Sequence, residues 1–255
     1  MHRATVRVYQ ELTRFLSSST EGPEIEHEFI GEPSVKDVIE TYGIPHAEVD
    51  LVLINGSPVS FDARVRDGDR VAAYPVFESL DISRTSLVRA EPLRVTQFVL
   101  DCHLGKLARL LRMMGFDTAY ERYFTDPEIV EISRKEHRII LTRDVGLLKR
   151  RAVTHGYWVR NTDPTEQAVE VLRRFDLARQ VHPLARCMEC NGRIEAVEKA
   201  HIAHRLEPGT RTYYDQFYRC TSCDRLYWRG SHFEKLREQI DGIVEASRWT
   251  ERGSS

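Results

Sequence analysis

Apolar and polar positions alternate at two periods along this chain, and the period changes from one module to the next. Thr5-Val6-Arg7-Val8-Tyr9 alternates with period two and Ile25 to Ile30 repeats the alternation, which predicts two half-buried strands. Ser34-Val35-Lys36-Asp37 predicts a helix start with Ser34 as N-cap and Asp37 in the capping-box position, and Gly43 suits the helix end. Val49 to Ile54 reads as an apolar strand, Asn55-Gly56 as a tight turn, and Asp67-Gly68-Asp69 as a second turn before a strand from Arg70 to Tyr74. Residues 79–93 are polar with scattered aliphatics and read as a linker between a front domain (1–78) and the remainder of the chain.

From residue 94 the pattern becomes strand and helix in alternation. Val95 to Leu100 is a short apolar run ending in Asp101. A helix begins at once, with Leu104, Leu107, Ala108, Leu111 and Met114 on one face and Lys106, Arg109 and Arg112 recurring on another, and Gly115 ends it. Asp117 to Tyr120 predicts a second strand, Thr125-Asp126-Pro127-Glu128 a helix start, Arg138 to Thr142 a third strand and Gly156 to Arg160 a fourth, followed by Thr162-Asp163-Pro164. Such alternation implies a parallel sheet over residues 94–183, with ligands bound beyond the carboxyl ends of the strands.

Residues 184–255 change character again. Cys187-x-x-Cys190 and Cys220-x-x-Cys223 have the spacing of two knuckles that hold one tetrahedral Zn²⁺ through four thiolates, a closed structural site. Two disulfides are the alternative, and they need an oxidising compartment, whereas the first residues lack the apolar core of a signal peptide. Arg193 to Val197 and Tyr213 to Arg219 read as strands, and a helix is expected from His232 to about Ser247. Tyr213, Tyr214, Phe217, Tyr218, Tyr227 and Trp228 either stack on unpaired bases or fill a scant core, and core packing is the expectation for most. Cys102, after an apolar run, reads as a small buried hydrophobe.

Composition narrows the class of protein without naming a reaction. With 41% hydrophobic and 30% charged residues the chain is an ordinary globular sequence, and no apolar stretch is long enough for a membrane span, so a cytoplasmic location is the default expectation. The net charge of -2 hides an asymmetry: residues 1–90 carry -6, residues 91–183 carry +3 and residues 184–255 carry +1. An acidic front third repels polyanions, so contact with nucleic acid is expected on the remaining two thirds.

The candidate chemistry is carried by aspartates expected at one sheet edge: Asp101, Asp126, Asp144 and Asp163. Three of them stand where a helix can begin, so capping is the plain reading of each alone. Gathered together, carboxylates repel each other, and a divalent cation resolves that repulsion. Asp101, Asp126 and Asp144 are the expected metal ligands, with Asp163 a weaker member. Lys106, Arg109 and Arg143 lie beside these acids in sequence and are candidates to hold phosphates, as is the cluster Lys149-Arg150-Arg151, although a solvated helix face explains them as well.

Two resemblances sharpen these readings. Leu53-Ile54-Asn55-Gly56 and Asp67-Gly68-Asp69-Arg70-Val71, in their strand order, resemble the β-grasp, ubiquitin-like family of sulfur carriers. Those carriers end in an activated Gly-Gly, which Tyr74-Pro75-Val76-Phe77-Glu78 lacks, so a docking or stabilising role is expected instead. Phe98-Val99-Leu100-Asp101, Leu104 to Arg112, Ile140 to Asp144, Arg186 to Asn191 and Tyr227 to Phe233 resemble the Mut-seven C-terminal RNase family, a PIN-like nuclease domain fused to a zinc ribbon. His103 departs from the apolar residue expected between Asp101 and Leu104. The resemblance implies a PIN-like α/β fold and a ribonuclease that hydrolyses RNA, expected to be single-stranded, with Asp101, Asp126 and Asp144 holding Mg²⁺ or Mn²⁺. It also implies products with a 5′-phosphate and a 3′-hydroxyl. A protein or ribonucleoprotein partner for the β-grasp domain stays open, as does a role for His232 near the active edge. The rival reading is a non-catalytic adaptor that binds RNA or a ribonucleoprotein through the ribbon and the β-grasp domain.

Overall fold

The computed structural model describes residues 1–17, 22–75, 88 and 96–248, with the side chains of Ser231 and His232 outside the description. The role expected of His232 and most of the linker 79–93 therefore lie outside the described residues. In chain order the front segment holds β1 His2–Val8, β2 Glu24–Phe29, α1 Val35–Thr41, β3 Val49–Ile54, β4 Ser57–Pro58 and β5 Arg70–Pro75. The middle holds β6 Gln97–Leu100, α2 Gly105–Met113, β7 Asp117–Ala119, α3 Asp126–Glu136, β8 Ile139–Thr142, α4 Val145–Leu148, β9 Gly156–Trp158 and α5 Pro164–Arg174. The last segment holds β10 Ile194–Val197, α6 Lys199–Ile202, α7 Pro208–Tyr213, β11 Phe217–Cys220, β12 Leu226–Trp228 and α8 Ser231–Arg248.

Two compact units divide the chain: Met1–Val95 with Asp126–Trp158, and Thr96–Thr125 with Val159–Ser255. In the first, the sheet order β2-β1-β5-β3-β4, with β1 and β5 parallel and the other neighbours antiparallel, is a β-grasp arrangement. Val6, Val8, Ile39, Ile44, Val52 and Val71 fill its core. Ser34 caps α1 as expected, its hydroxyl accepting from the amide of Asp37 while the Asp37 side chain returns to the Ser34 amide. Asn55 and Gly56 both have positive φ, +52° and +82°, as the two-residue turn between β3 and β4 requires. The two turns predicted from the sequence meet: the Asn55 side-chain amide donates to Asp69 at 2.8 Å and its carbonyl accepts from the Arg70 amide at 2.9 Å.

The same unit packs the front segment on residues 126–158, through a turn (His46–Glu48) that sequence periodicity does not reveal. His46, 6% exposed, sets Nδ1 at 2.6 Å from Glu40 and Nε2 at 2.8 Å from the Val153 carbonyl. Glu48 is fully buried and accepts from the Trp158 amide at 2.6 Å, while Lys149 Nζ donates to the Glu40 carbonyl. A neutral imidazole carries one N–H and donates to only one of these two acceptors, and removing that partner would leave a buried polar group unsatisfied at a cost of about 1–3 kcal/mol.

In the middle segment β6 pairs with β7 and β8 with β9, both in parallel, which is the α/β architecture expected. The last segment is a three-stranded antiparallel sheet in the order β10-β11-β12. Three expectations need correction. Tyr213 ends helix α7 and the strand begins at Phe217, because Pro208 opens a helical turn that the Thr212 hydroxyl closes on the Pro208 carbonyl. Cys102 is exposed, since it opens the short turn after Asp101 and points away from the core. Arg112 is 5% exposed instead of sharing a polar face with Lys106 and Arg109, because a three-residue spacing drifts about 60° per step around a helix.

Burial holds His27 below the ordinary histidine value, and it does the same to His46 against the opposing hydrogen bond to Glu40. A folded-state pKa below the unfolded one means that the unfolded chain takes up its proton first. The contribution is therefore complete above the ordinary value of 6.5 and is lost as the pH falls below it. The urea midpoint is expected to drop between about pH 7.5 and about pH 5.5, and to drop less in His27→Phe, which keeps the ring against Phe29 and Tyr42. Equal drops in both proteins would contradict this account.

Candidate functional site

Each of the four aspartates is fixed by its own element. Asp101 directly follows β6, is 5% exposed, and accepts the His103 amide on Oδ1 at 2.8 Å. Gly105 opens the helix that follows, and a Cβ there would stand 2.5 Å from the Tyr120 hydroxyl, so a side chain would displace the Tyr120 ring, whose hydroxyl donates to the Cys102 carbonyl. Asp144 follows β8 with its segment held the same way, Oδ1 accepting the Gly146 amide at 2.7 Å and its own amide donating to Thr142 Oγ1 at 2.8 Å. Asp163 caps α5, its Oδ1 accepting from Thr165 and Glu166. Asp126 opens α3, and its Oδ2 receives Arg150 at 2.7 Å, so one residue of the basic cluster 149–151 is committed to an acid. The capping role expected of Asp144 and Asp163 is thus present, and Asp101 caps as well. Asp101 and Asp163 belong to the second unit, Asp126 and Asp144 to the first.

The candidate phosphate ligands differ in their surroundings. Lys106, Arg109 and Arg143 are all exposed. Arg109 Nη1 lies 3.1 Å from Glu189 of the first cysteine knuckle.

The four cysteines converge. Their sulfurs lie within 4.8 Å of one another, and they are the one such group of three or more metal-ligating side chains among the described residues. Cys187 and Cys223 are 3.6 Å apart and Cys190 and Cys220 3.4 Å, far beyond the roughly 2.05 Å of a disulfide. The knuckles repeat one design. Asn191 and Asp224 follow the second cysteine of each pair in the left-handed region, at φ +66° and +60°, and their amides return to the carbonyls of Cys187 and Cys220. Gly192 is required beside them, since a Cβ would stand 2.5 Å from Ser222 Oγ and 2.8 Å from Cys220 Sγ.

Burial raises the Cys187 thiol, but the Tyr227 hydroxyl at 3.0 Å and the amides of Cys190 and Glu189 outweigh it and bring the thiol down to about 6. Cys190 is pushed up to about 12, by burial first and then by the neighbouring sulfurs. Four close sulfurs that cannot all ionise alone are the donor set a divalent ion satisfies, and the cluster is compatible with a structural zinc.

Sequence reasoning missed the residues that fasten this cluster. Arg112 on α2 donates to the carbonyls of Thr118 (2.9 Å), Tyr120 (3.2 Å) and Glu189 (2.8 Å). Asn191 accepts the Thr118 amide at 2.9 Å and donates to Asp117 at 2.8 Å, and Arg186 pairs with the same Asp117 at 2.7 Å. Gly115 (φ +97°) lets the chain turn where a Cβ would collide with the His182 carbonyl. The available signals were an arginine inside an apolar helix face and an asparagine directly after a knuckle.

Comparison with known proteins places this architecture. A family model described as the Mut7-C RNAse domain matches residues 96–240, more than half of the chain, and one described as Mut7-C ubiquitin matches residues 1–81. No curated protein matches. Among solved structures, the crystal structure of SAMP1 from Haloferax volcanii aligns with 31% of this chain and 99% of its own at 14% identity and a TM-score of 0.25. The chain belongs to the Mut7-C RNAse domain family, a family of ribonuclease domains, and carries the Mut7-C ubiquitin-like domain in front.

Proposed function

We propose that the chain is a metal-dependent ribonuclease acting on single-stranded RNA, in which Asp101, Asp126 and Asp144 bind Mg²⁺ or Mn²⁺, Asp163 is a fourth acid of the site, and the cysteines bind a structural zinc. The family match over residues 96–240, which contains all four acids, is the observation that carries the reading. The donor set supports it, since hard carboxylate oxygens suit Mg²⁺ and Mn²⁺ while four sulfurs suit zinc. Local geometry supports it too. Asp101 and Asp144 each stand at the carboxyl end of a strand, each with Oδ1 fixed by one backbone amide, so neither side chain has to be ordered when a ligand arrives. Bound by these acids, a divalent ion supplies a water of lowered pKa and stabilises charge on the phosphate.

The chain's own cations complete the reading. Lys106, Arg109 and Arg143 are offered to substrate phosphates and offset the repulsion between the RNA and the acids. Arg150 neutralises Asp126 before any ligand arrives. A second reading, a non-catalytic adaptor that binds RNA or a ribonucleoprotein, is favoured by one observation: Asp101, Asp144 and Asp163 all serve as helix caps, which is a sufficient structural reason for each.

Two experiments test these assignments. Asparagine is as good an N-cap as aspartate, so Asp101→Asn and Asp144→Asn are expected to fold normally and to bind RNA, yet to lose Mn²⁺-dependent cleavage of single-stranded RNA by about 100-fold or more. Cleavage at the wild-type rate in both purified variants would leave the adaptor reading. For the cysteine site, elemental analysis is expected to find one zinc per chain. Cys220→Ser is expected to lose the metal together with the protease resistance of residues 184–248, and a fully resistant, metal-free variant would overturn the structural role.

A further inference from the structure

A cavity of about 470 Å³ opens in the second unit, walled by α2, the first knuckle, β12 and α8. At its rim two guanidinium groups share one carboxylate: Glu189 Oε1 lies 3.1 Å from Arg109 and 3.9 Å from Arg225. That group of three carries a net positive charge, and both arginine side chains are 57% exposed. One wall is aromatic. Trp228 is 37% exposed while its ribbon neighbours Phe217 and Tyr227 are buried, so it is not consumed by the small core. Gly230 leaves room for it, since a Cβ there would stand 2.9 Å from Trp228 Nε1 and 3.3 Å from the Tyr214 hydroxyl. Two polar-edged aromatic side chains therefore reach the cavity beside two cations that are only partly neutralised.

We propose that this cavity is a subsite for one unpaired nucleotide of the RNA, the base stacked on Trp228 and its phosphate held by Arg109 and Arg225 after displacing Glu189. The volume lies within the range of about 300–1,000 Å³ typical of small-ligand sites. Unpaired bases stack on aromatic side chains whatever their identity, and guanidinium forks match phosphate oxygens. The position suits a substrate subsite, because Arg109 is eight residues beyond Asp101 along the turn and helix that start there, on the order of 12 Å at 1.5 Å per residue. The proposal rests on the ribonuclease reading for the identity of the ligand, but it does not need the acids to be catalytic.

Glu189 gives the test its sign. The test measures the affinity of the full-length chain for a labelled single-stranded oligouridylate, in an Asp101→Asn background that leaves the probe intact. Removing the competing carboxylate in Glu189→Gln should tighten binding several-fold, whereas Glu195→Gln, an exposed acid elsewhere on the ribbon, should leave it unchanged. Arg225→Gln should weaken binding, and Trp228→Ala should weaken it roughly tenfold with partial rescue by Trp228→Phe, the size expected for one stacked base. Photo-crosslinking of a 4-thiouridine probe to the chain with Trp228 intact should label the peptide that contains Trp228, which keeps the test valid if Trp228→Ala fails to fold. Equal effects of Glu189→Gln and Glu195→Gln, unchanged affinity in Arg225→Gln, or equal binding of a fully paired duplex would each overturn the subsite. Cleavage surviving in Asp101→Asn would overturn the assignment of the acids without deciding this one.

Discussion

A buried guanidinium, that of Arg112, ties the nuclease helix to the cysteine cluster. Leaving water costs it solvation, and burial lowers its pKa accordingly. Glu121 and the thiols of Cys190 and Cys187 pull in the opposite direction, and the hydrogen bonds to the Thr118, Tyr120 and Glu189 carbonyls occupy its donors on both sides. One side chain thus fixes α2 to β7 and both to the first knuckle. The helix that begins just after Asp101 and the sulfurs that suit zinc therefore share one framework, and a loss of metal at the cysteines would be felt along α2.

The ubiquitin-like domain serves a comparable purpose in the other unit. Its His46, Ala47 and Glu48 meet the chain between Val153 and Trp158, and Glu40 receives Lys149, so the segment after Asp144 is held by the front domain's buried polar groups. Buried polar pairs of this kind are stabilising only when complete, and they fix one register of packing. Through these contacts the front segment and residues 126–158 form one compact unit.

What was legible in the sequence was local. The Ser34 cap, the Asn55-Gly56 turn, the Gly115 helix stop and the Cys-x-x-Cys knuckles all involve partners a few residues apart, where backbone sterics and short hydrogen bonds decide the outcome. What stayed hidden depends on distant partners. His46 meets Val153 across 107 residues and Arg112 meets Glu189 across 77, and neither residue type nor period announces such a contact. Arg112 is buried although it continues a triplet of basic residues, because steps of three drift around the helix and carry it off the polar face. At Tyr213 the aromatic enrichment suggests a strand and masks the helix start at Pro208. The four aspartates are legible as candidates, and of the three that stand at expected helix starts Asp144 and Asp163 cap while Asp126 is the first residue of α3; the cap made by Asp101 has no such signal.

The proposal that Asp101, Asp126 and Asp144 hold a divalent ion is tested without any substrate by Mn²⁺ binding, measured by electron paramagnetic resonance on the zinc-loaded full-length chain. Bound Mn²⁺ is expected in the wild type, with its loss in both Asp101→Asn and Asp144→Asn and an unchanged zinc content. Mn²⁺ bound equally well by both variants, or not at all by the wild type, would contradict the proposal.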